Sequence, residues 1–205
     1  MRQYTTIIFN RTTPKVSSRP KIQELSLEET EDMRKSLVSF YKNYNMFSLE
    51  NLFNGKKYFV AKDKDEKILA GAQINPEQWK VLSLPGLSGK IILNVFSRLP
   101  ILNRLFNKNY RFLTLEGIYY APGHETVLEG LFESLLAKYQ LHSAIAVVDP
   151  QTELYCVLKS LDLGLINKLN KEVRGDVICK FFNLSDAEKE SFRMNPAYIS
   201  GIDVT

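Results

Sequence analysis

Apolar residues recur at every third or fourth position between Met33 and Tyr44, which is the spacing of one face of a helix. Ser26 precedes this stretch, and glutamates at positions 28, 29 and 31 suit the positive end of a helix dipole. The pattern predicts a helix from Ser26 to about Tyr44, followed by a second helical piece at residues 48–53.

Other stretches are rich in β-branched and aromatic residues, which is typical of strands. Two of them flank the polar turn DKDE and predict a hairpin, and Pro76 limits its second strand, which residues 79–84 continue after a break. A run of six apolar or small residues, SAIAVV, predicts a strand buried on both faces. The predicted strands are residues 22–25, 57–62, 67–74, 111–120, 143–148 and 177–182.

Two further helices are predicted in the second half of the chain. Residues 126–139 carry one apolar stripe, and residues 152–161 form a shorter amphipathic segment. The basic, proline-containing residues 11–21 are expected to be an exposed lead-in. Strands that alternate with helices indicate an α/β fold, and we expect one domain over residues 1–205.

Composition narrows the functional class. The chain has 205 residues, of which 44% are hydrophobic and 24% charged, and its net charge is +4. These values argue against a disordered chain and against a dedicated nucleic-acid binder. Two cysteines and two histidines occur at no metal-ligand spacing, so no metal is expected. Without a signal-like N-terminus or a long apolar run, a cytoplasmic protein is expected.

The segment LEGIYYAPGHETVLEGLFESLLAKYQL, residues 115–141, resembles the fourth strand, cofactor loop and following helix of the GNAT superfamily of N-acetyltransferases. Tyr119 and Pro122 stand where that strand often ends in an aromatic residue and a proline. SAIAVVDP and TELYCVLKSLDLG then resemble the fifth strand and the fourth helix. The resemblance implies a mixed, mainly antiparallel sheet with helices on both faces and one parallel pair of strands that splay apart.

The resemblance also implies acyl transfer from acetyl-CoA or another acyl-CoA to an amine of a small molecule or peptide. Glu116 lies where many members keep a general base, although a strand carboxylate that is solvated or paired with a basic residue fits equally. Tyr155 lies one turn before the position of the usual acid, which falls on Leu158. A packing tyrosine is the other interpretation.

The cofactor loop departs from the family pattern. Only Gly130 fits the glycine pattern, and Glu125 would bring a negative charge toward phosphates. A GNAT-like fold that has lost catalysis and binds a ligand, a lipid surface or a protein is therefore the alternative function. His124 is a candidate base or loop donor, or an exposed residue before the helix. The implied coenzyme A contacts are Ile118, Tyr119, Tyr120, Gly123, His124, Glu125 and Thr126.

Residues 86–111 form an insertion between two predicted strands. They carry five basic residues, no acidic residue and a wide apolar face. Pro100 is expected to divide the insertion into two short helices. Three interpretations stay open: a lid over an acyl or substrate pocket, a surface for anionic membrane, or a helical pair that covers a sheet face or a homodimer contact.

Overall fold

The computed structural model describes residues 2–18, 20–84, 86–169, 173–177 and 180–201. Within these ranges, strands and helices alternate as expected for an α/β fold. The strands are β1 (Arg2–Asn10), β2 (Lys21–Glu24), β3 (Lys57–Lys62), β4 (Ile68–Lys80), β5 (Asn109–Tyr120), β6 (Ser143–Val148) and β7 (Val173–Val177). The helices are α1 (Thr30–Phe40), α2 (Gly86–Asn94), α3 (Val127–Tyr139), α4 (Glu153–Ser160), α5 (Leu165–Leu169) and α6 (Asp186–Met194).

The seven strands form one sheet in the order β2-β3-β4-β5-β6-β1-β7. Neighbouring strands are antiparallel except β5 and β6, which are parallel. Helix α3 connects this parallel pair and contacts both strands, while α1 also contacts β5. The structure therefore confirms the predicted mixed sheet with helices on both faces, including the parallel pair joined by a helix.

Strand β1 was not predicted, although it lies between β6 and β7 in the sheet. Ile7 and Phe9 on this strand are buried in the main core. Asn10 at its end is also buried, and its amide side chain donates to the carbonyl of Leu163 at 2.8 Å. The N-terminal residues are therefore part of the sheet core.

The lead-in after β1 is anchored along α3. Arg11 forms ion pairs with Glu129 at 2.9 Å and Glu133 at 3.3 Å. The backbone amide of Ser17 donates to the hydroxyl of Ser134 at 2.7 Å. Residues 11–17 thus act as a strap across the helix, where an exposed lead-in was expected.

Strand β4 continues through Pro76, where the sequence predicted a break. Pro76 pairs with Leu113 of β5, whereas the pairing of β4 with β3 stops at Ile74. Beyond Ile74 one side of β4 is a free edge, and a proline there removes no ladder hydrogen bond. The strand therefore stays continuous.

Two other predicted elements were wrong. Residues 48–53 form turns and bends, and Phe53 has a φ of 70°, which a helix does not accommodate. The late strand is β7, which starts and ends earlier than the predicted residues 177–182. Residues 178 and 179 lie outside the described residues, and residues 180–182 are not in a strand.

The insertion between β4 and β5 comprises α2 and two 3₁₀ turns, Phe96–Arg98 and Leu102–Arg104, with Pro100 between the turns. Leu105 and Phe106 are buried against Ile166 of α5 in a small second core. Part of the insertion therefore covers the sheet near β1, as one interpretation of the sequence expected.

Gly164 allows the chain to pass beside the end of β1, and it provides a stability test. Its φ is +88°, and a Cβ atom would clash with the backbone oxygen of Asn10. We expect Gly164→Ala to lower the free energy of unfolding by about 3 kcal/mol, because backbone strain and overpacking add. Gly55 has a φ of +68° and no atom near its Cβ position, so Gly55→Ala should cost only about 1 kcal/mol. Equal losses in urea unfolding would contradict the clash.

Candidate functional site

The parallel strands β5 and β6 separate shortly after they meet. Only two residue pairs are in register, Leu113 with Ala144 and Thr114 with Ile145. Beyond them β5 continues to Tyr120 and β6 to Val148. This confirms the predicted splayed pair, and the gap between the diverging strands is the centre of the candidate site.

A β-bulge lies in β5 at the edge of this gap. Gly71 pairs with Tyr119 and Gln73 pairs with Glu116, so Ala72 faces two residues, Gly117 and Ile118. Gly117 has a φ of +52°, a conformation that glycine adopts without strain. The bulge turns the backbone of β5 away from the regular ladder beside Glu116.

Tyrosine hydroxyls hold the bulge in place. Tyr58 donates to the carbonyl of Gly117 at 2.8 Å, and Tyr41 donates to the carbonyl of Ile118 at 2.6 Å. Burial raises the pKa of both hydroxyls well above the ordinary value, so they remain donors at neutral pH. The amide of Gly117 donates to the hydroxyl oxygen of Tyr198 at 2.9 Å. Buried backbone groups that lose ladder partners are thus satisfied by side chains.

Residues 196–200, here called the C-terminal segment, run through the gap. The amide of Asn45 donates to the carbonyl of Pro196 at 2.7 Å, and the amide of Tyr198 donates back to Asn45 at 2.9 Å. The amide of Ala197 donates to the carboxylate of Asp149, just after β6, at 3.0 Å. This segment therefore bridges the turns after α1, the end of β6 and the bulge.

Glu116 points into this arrangement from β5. It is only 3% exposed. One carboxylate oxygen accepts from the hydroxyl of Ser200, and the other accepts from the side chain of Gln73 at 3.4 Å. Gln73 is itself fixed, since it accepts from the amide of Phe53 at 2.7 Å and donates to the carbonyl of Asn51 at 3.0 Å. The position of Glu116 is therefore well defined.

Three cavities lie in and beside the gap, and Glu116 lines two of them. A small cavity of about 20 Å³ lies in the gap, a second of about 410 Å³ lies toward β7, and a third of about 1100 Å³ lies toward α1 and α4. Glu116 and Tyr198 line both the small and the 410 Å³ cavities. Tyr44 and Thr152 line both the small and the 1100 Å³ cavities. The small cavity is thus adjacent to both larger ones.

Tyr44 lies where α1 is followed by turns, close to the first turn of α4. Burial raises the pKa of its hydroxyl, while hydrogen bonds to the side chain of Thr152 and the backbone of Leu154 act against that shift. The net direction is upward, so the hydroxyl carries its proton at neutral pH. Tyr44 is therefore a proton donor at the junction of two cavities.

The loop after β5 binds a carboxylate of its own chain. The amide of Gly123 donates to the carboxylate of Glu125 at 3.0 Å, and the amide of His124 donates to the carbonyl of Ala121 at 2.9 Å. The amides of Glu125 and Gly123 lower the pKa of the Glu125 carboxyl. At least two of the amides that the resemblance assigns to a pyrophosphate are thus already engaged.

Some of the predicted site residues line the cavities and others do not. Tyr119, Tyr120 and Glu125 line the 1100 Å³ cavity, and Glu116 and Ile118 line the small one. His124 and Thr126 are exposed beside the loop. Tyr155 is half-buried and packs against the main core, and it is absent from the lining of these three cavities, whereas the two residues before it line the 1100 Å³ cavity.

Sequence reasoning missed five residues of the site. Their common property is that they become neighbours only through the sheet and the C-terminal segment. Tyr44 carried an apolar helical spacing that indicated packing, and Gln73 lay within a predicted strand. The single local signal for the C-terminal segment was a short apolar stretch near residue 198, which lies between a proline and a glycine. The missed residues are Tyr44, Gln73, Asp149, Tyr198 and Ser200.

The insertion does not cover this site. Strand β5 leads from the insertion to the gap, and the described residues of the insertion are absent from the linings of the three cavities. The lid interpretation of residues 86–111 therefore finds no support at these three cavities and stays a prediction.

No described helix is long and apolar enough to span a bilayer. The described residues also contain no group of three or more His, Cys, Asp or Glu side chains arranged to hold a metal ion. The one described cysteine, Cys156, is exposed, and Cys179 lies outside the described residues.

No protein-family model and no curated protein matches the chain. Among solved structures it is similar to a protein from Novosphingobium aromaticivorans described as an acetyltransferase of the GNAT family. Their sequence identity is 8%, the match covers 77% of this chain and 56% of that chain, and the TM-score is 0.44.

The chain is also similar to N-myristoyltransferase from Saccharomyces cerevisiae with bound myristoyl-CoA. In that comparison the identity is 11%, the match covers 77% of this chain and 44% of that chain, and the TM-score is 0.41. The chain spans about half the length of these structures. The fold assignment rests on the strand order and the parallel pair rather than on these scores.

Proposed function

We propose that this chain is an acyl-CoA-dependent N-acyltransferase that acts on an amine of a small molecule or peptide. The observation that carries the proposal is the position of Glu116. Its buried carboxylate lies beside a backbone bulge and lines both the small cavity in the gap and the 410 Å³ cavity, and the small cavity shares Tyr44 and Thr152 with the 1100 Å³ cavity. An acyl donor and an acceptor that enter from different sides would meet at this residue.

The 1100 Å³ cavity is the proposed donor side. It extends along the end of β5, where Tyr119 and Tyr120 line it beyond the point at which β6 stops pairing, while the carbonyl of Ile118 accepts from Tyr41. In the proposed complex this edge holds the pantetheine arm. The loop from Gly123 to Thr126 would face the pyrophosphate, provided that the carboxylate of Glu125 gives up its amides.

The 410 Å³ cavity is the proposed acceptor side. Its charged lining residues are Glu116 and Asp176, and its described lining contains no basic residue. Ser48, Asn51 and Ser200 add polar groups to the same wall. Two carboxylates favour a positively charged ligand, so the acceptor we propose is a primary amine that is protonated in water.

The proposed reaction is direct attack within a ternary complex. Glu116 accepts one proton from the ammonium, and the neutral nitrogen then forms a bond to the thioester carbonyl carbon. The nitrogen, now bonded to four groups, passes a second proton to water. The carbon–sulfur bond then breaks, and the thiolate of coenzyme A takes a proton from an acid. We propose Tyr44 for that acid, because its protonated hydroxyl lies where the donor cavity meets the small cavity.

The C-terminal segment has a defined place in this proposal. The hydroxyl of Ser200 donates to Glu116, which is the interaction that an acceptor ammonium or amine would make. An acceptor that reaches Glu116 therefore replaces Ser200. Displacement of the segment near Ser200 would leave the hydrogen bonds of Pro196 and Tyr198 with Asn45 intact.

A second candidate function is ligand binding without catalysis. Two observations favour it: Glu125 engages amides that a phosphate would need, and the C-terminal segment runs through the gap. The described lining of the 1100 Å³ cavity includes one basic residue, Lys35, and two acidic residues, Glu125 and Glu153. Binding of coenzyme A without turnover of any amine would favour this candidate.

The role of Glu116 is tested by Glu116→Gln. Glutamine keeps the shape but cannot accept the amine proton, so we expect kcat to fall by about a hundredfold or more. The free energy of unfolding should change little, because the amide can still bond to Ser200 and Gln73. Release of coenzyme A, followed with a thiol reagent, measures kcat. Glu50→Gln is the control, because Glu50 is exposed and lies outside the cavity linings. An active Glu116→Gln enzyme would remove Glu116 from the mechanism.

The identity of the acid is tested by a pair of matched substitutions. Tyr44→Phe removes the hydroxyl at the junction of the cavities, and we expect kcat to fall by about a hundredfold. Tyr155→Phe makes the same chemical change on α4 and should leave kcat nearly unchanged. The opposite ranking would assign the acid to Tyr155, as the family resemblance implies.

The competition at the loop is tested by Glu125→Gln. Removing a carboxylate from amides that would bind pyrophosphate should strengthen coenzyme A binding about threefold, the scale of a charge at a helix start. Calorimetric titration with coenzyme A measures the affinity. Glu188→Gln is the matched control, since Glu188 also accepts from a backbone amide, that of Ser185 at 2.8 Å, outside the cavity linings. Unchanged or weaker binding in Glu125→Gln would show that the loop does not face the phosphates.

A further inference from the structure

The insertion and the end of β4 expose an apolar surface. Leu82 is 81% exposed and Leu87 is 80% exposed, although both are large aliphatic residues. More than half of the large hydrophobic residues that the described chain exposes lie between positions 79 and 101. The apolar surface, as the term is used below, consists of Trp79, Leu82, Leu84, Leu87, Ile91, Val95, Leu99 and Ile101.

The apolar surface is the outer side of a two-sided element. Leu87, Ile91 and Val95 follow one another at four-residue spacing along α2 and its end, so they share one face. Ile92 and Phe96 lie on another face and pack against the small core of Leu105, Phe106 and Ile166. The core thus uses one side of the insertion and leaves the other apolar side uncovered.

The stretch of chain that carries the apolar surface has charges of one sign. No aspartate or glutamate occurs between Gln78 and Leu115. Lys80, Arg98, Arg104, Lys108 and Arg111 are all exposed. None of these five side chains forms an ion pair with a carboxylate of the described residues. Basic groups without counter-charges border the exposed apolar residues.

We propose that the apolar surface binds an anionic lipid bilayer. The apolar side chains would enter the boundary between headgroups and acyl chains, and the bordering basic side chains would contact anionic headgroups. Helix α2 has nine residues, which is too short to span a bilayer. In the proposed complex it lies in the plane of the interface. A second copy of this chain is a poorer occupant, because a symmetric contact would bring the same uncompensated basic residues together.

The orientation of the sheet gives this binding a direction. The insertion ends at the start of β5, whereas the gap and its cavities lie near the end of β5. Glu116 lies seven residues after Asn109, which is about 23 Å along the strand. A protein that rests on the apolar surface therefore holds the mouth of its site away from the bilayer, toward the aqueous phase. The proposal does not depend on the acyltransferase assignment.

Co-sedimentation with vesicles of phosphatidylcholine, with and without phosphatidylserine, tests the proposal. We expect binding only where phosphatidylserine is present. Leu87→Ser with Ile91→Ser should weaken binding about tenfold or more, because each change removes several buried methylene groups from the lipid. Arg98→Glu with Lys108→Glu should weaken it about thirtyfold, since each basic side chain near the surface contributes about fivefold.

Matched controls separate this surface from general effects. Leu27→Ser with Val16→Ser removes two exposed aliphatic side chains elsewhere, and Lys64→Glu with Lys67→Glu makes the same charge change in the β3–β4 turn. Both controls should bind vesicles like the original protein, and all variants should keep its melting temperature.

Three outcomes would overturn the proposal. The first is no binding to phosphatidylserine vesicles, and the second is equal loss in the control variants. The third is a dimer in lipid-free sedimentation equilibrium that Leu87→Ser with Ile91→Ser dissociates, because a second copy would then cover the surface.

Discussion

The gap between β5 and β6 leaves backbone groups that neither strand can satisfy, and much of the site follows from how they are paired. A buried carbonyl or amide without a partner costs more than a hydrogen bond contributes. Tyr41 and Tyr58 supply donors to the bulge, and Tyr198 supplies an acceptor. Because Tyr198 belongs to the C-terminal segment, the requirement for backbone satisfaction also brings Ser200 to Glu116. The segment that satisfies the backbone of the bulge is therefore also the segment that contacts the candidate general base.

The elements that could be predicted are those whose signals are local. Helix α3 and strand β6 have periodicities that a short stretch of sequence contains, and both were found. Strand β1 was missed because its partners, Val148 for Thr5 and Val177 for Arg2, are far away in the sequence. The predicted helix at residues 48–53 failed because Gln73, a residue of β4, holds that segment in an irregular conformation.

The candidate site was predictable only as far as the resemblance extended. Glu116 came from its place on a strand, and the structure brings it beside the bulge, where its chemical role stays a proposal. Tyr44 and Ser200 could not be found, because each is adjacent to the cavities only after distant elements pack. The distribution of charge is also a property of the folded chain: carboxylates line the cavities, while uncompensated basic residues lie at the other end of β5. These two regions suit partners of opposite charge.

The place of β1 in the sheet has a consequence for how the protein is made. Strand β1 leaves the ribosome before the other described strands, but its partners in the sheet are β6 and β7, which come last among them. At ordinary rates of synthesis the delay is on the order of ten seconds. During that time the apolar residues Ile7 and Phe9 have no sheet to join, whereas β3, β4 and β5 pair with neighbours in sequence order. The newborn chain therefore carries β1 as an unpaired strand, a natural target for chaperones, until β6 and β7 have been synthesised.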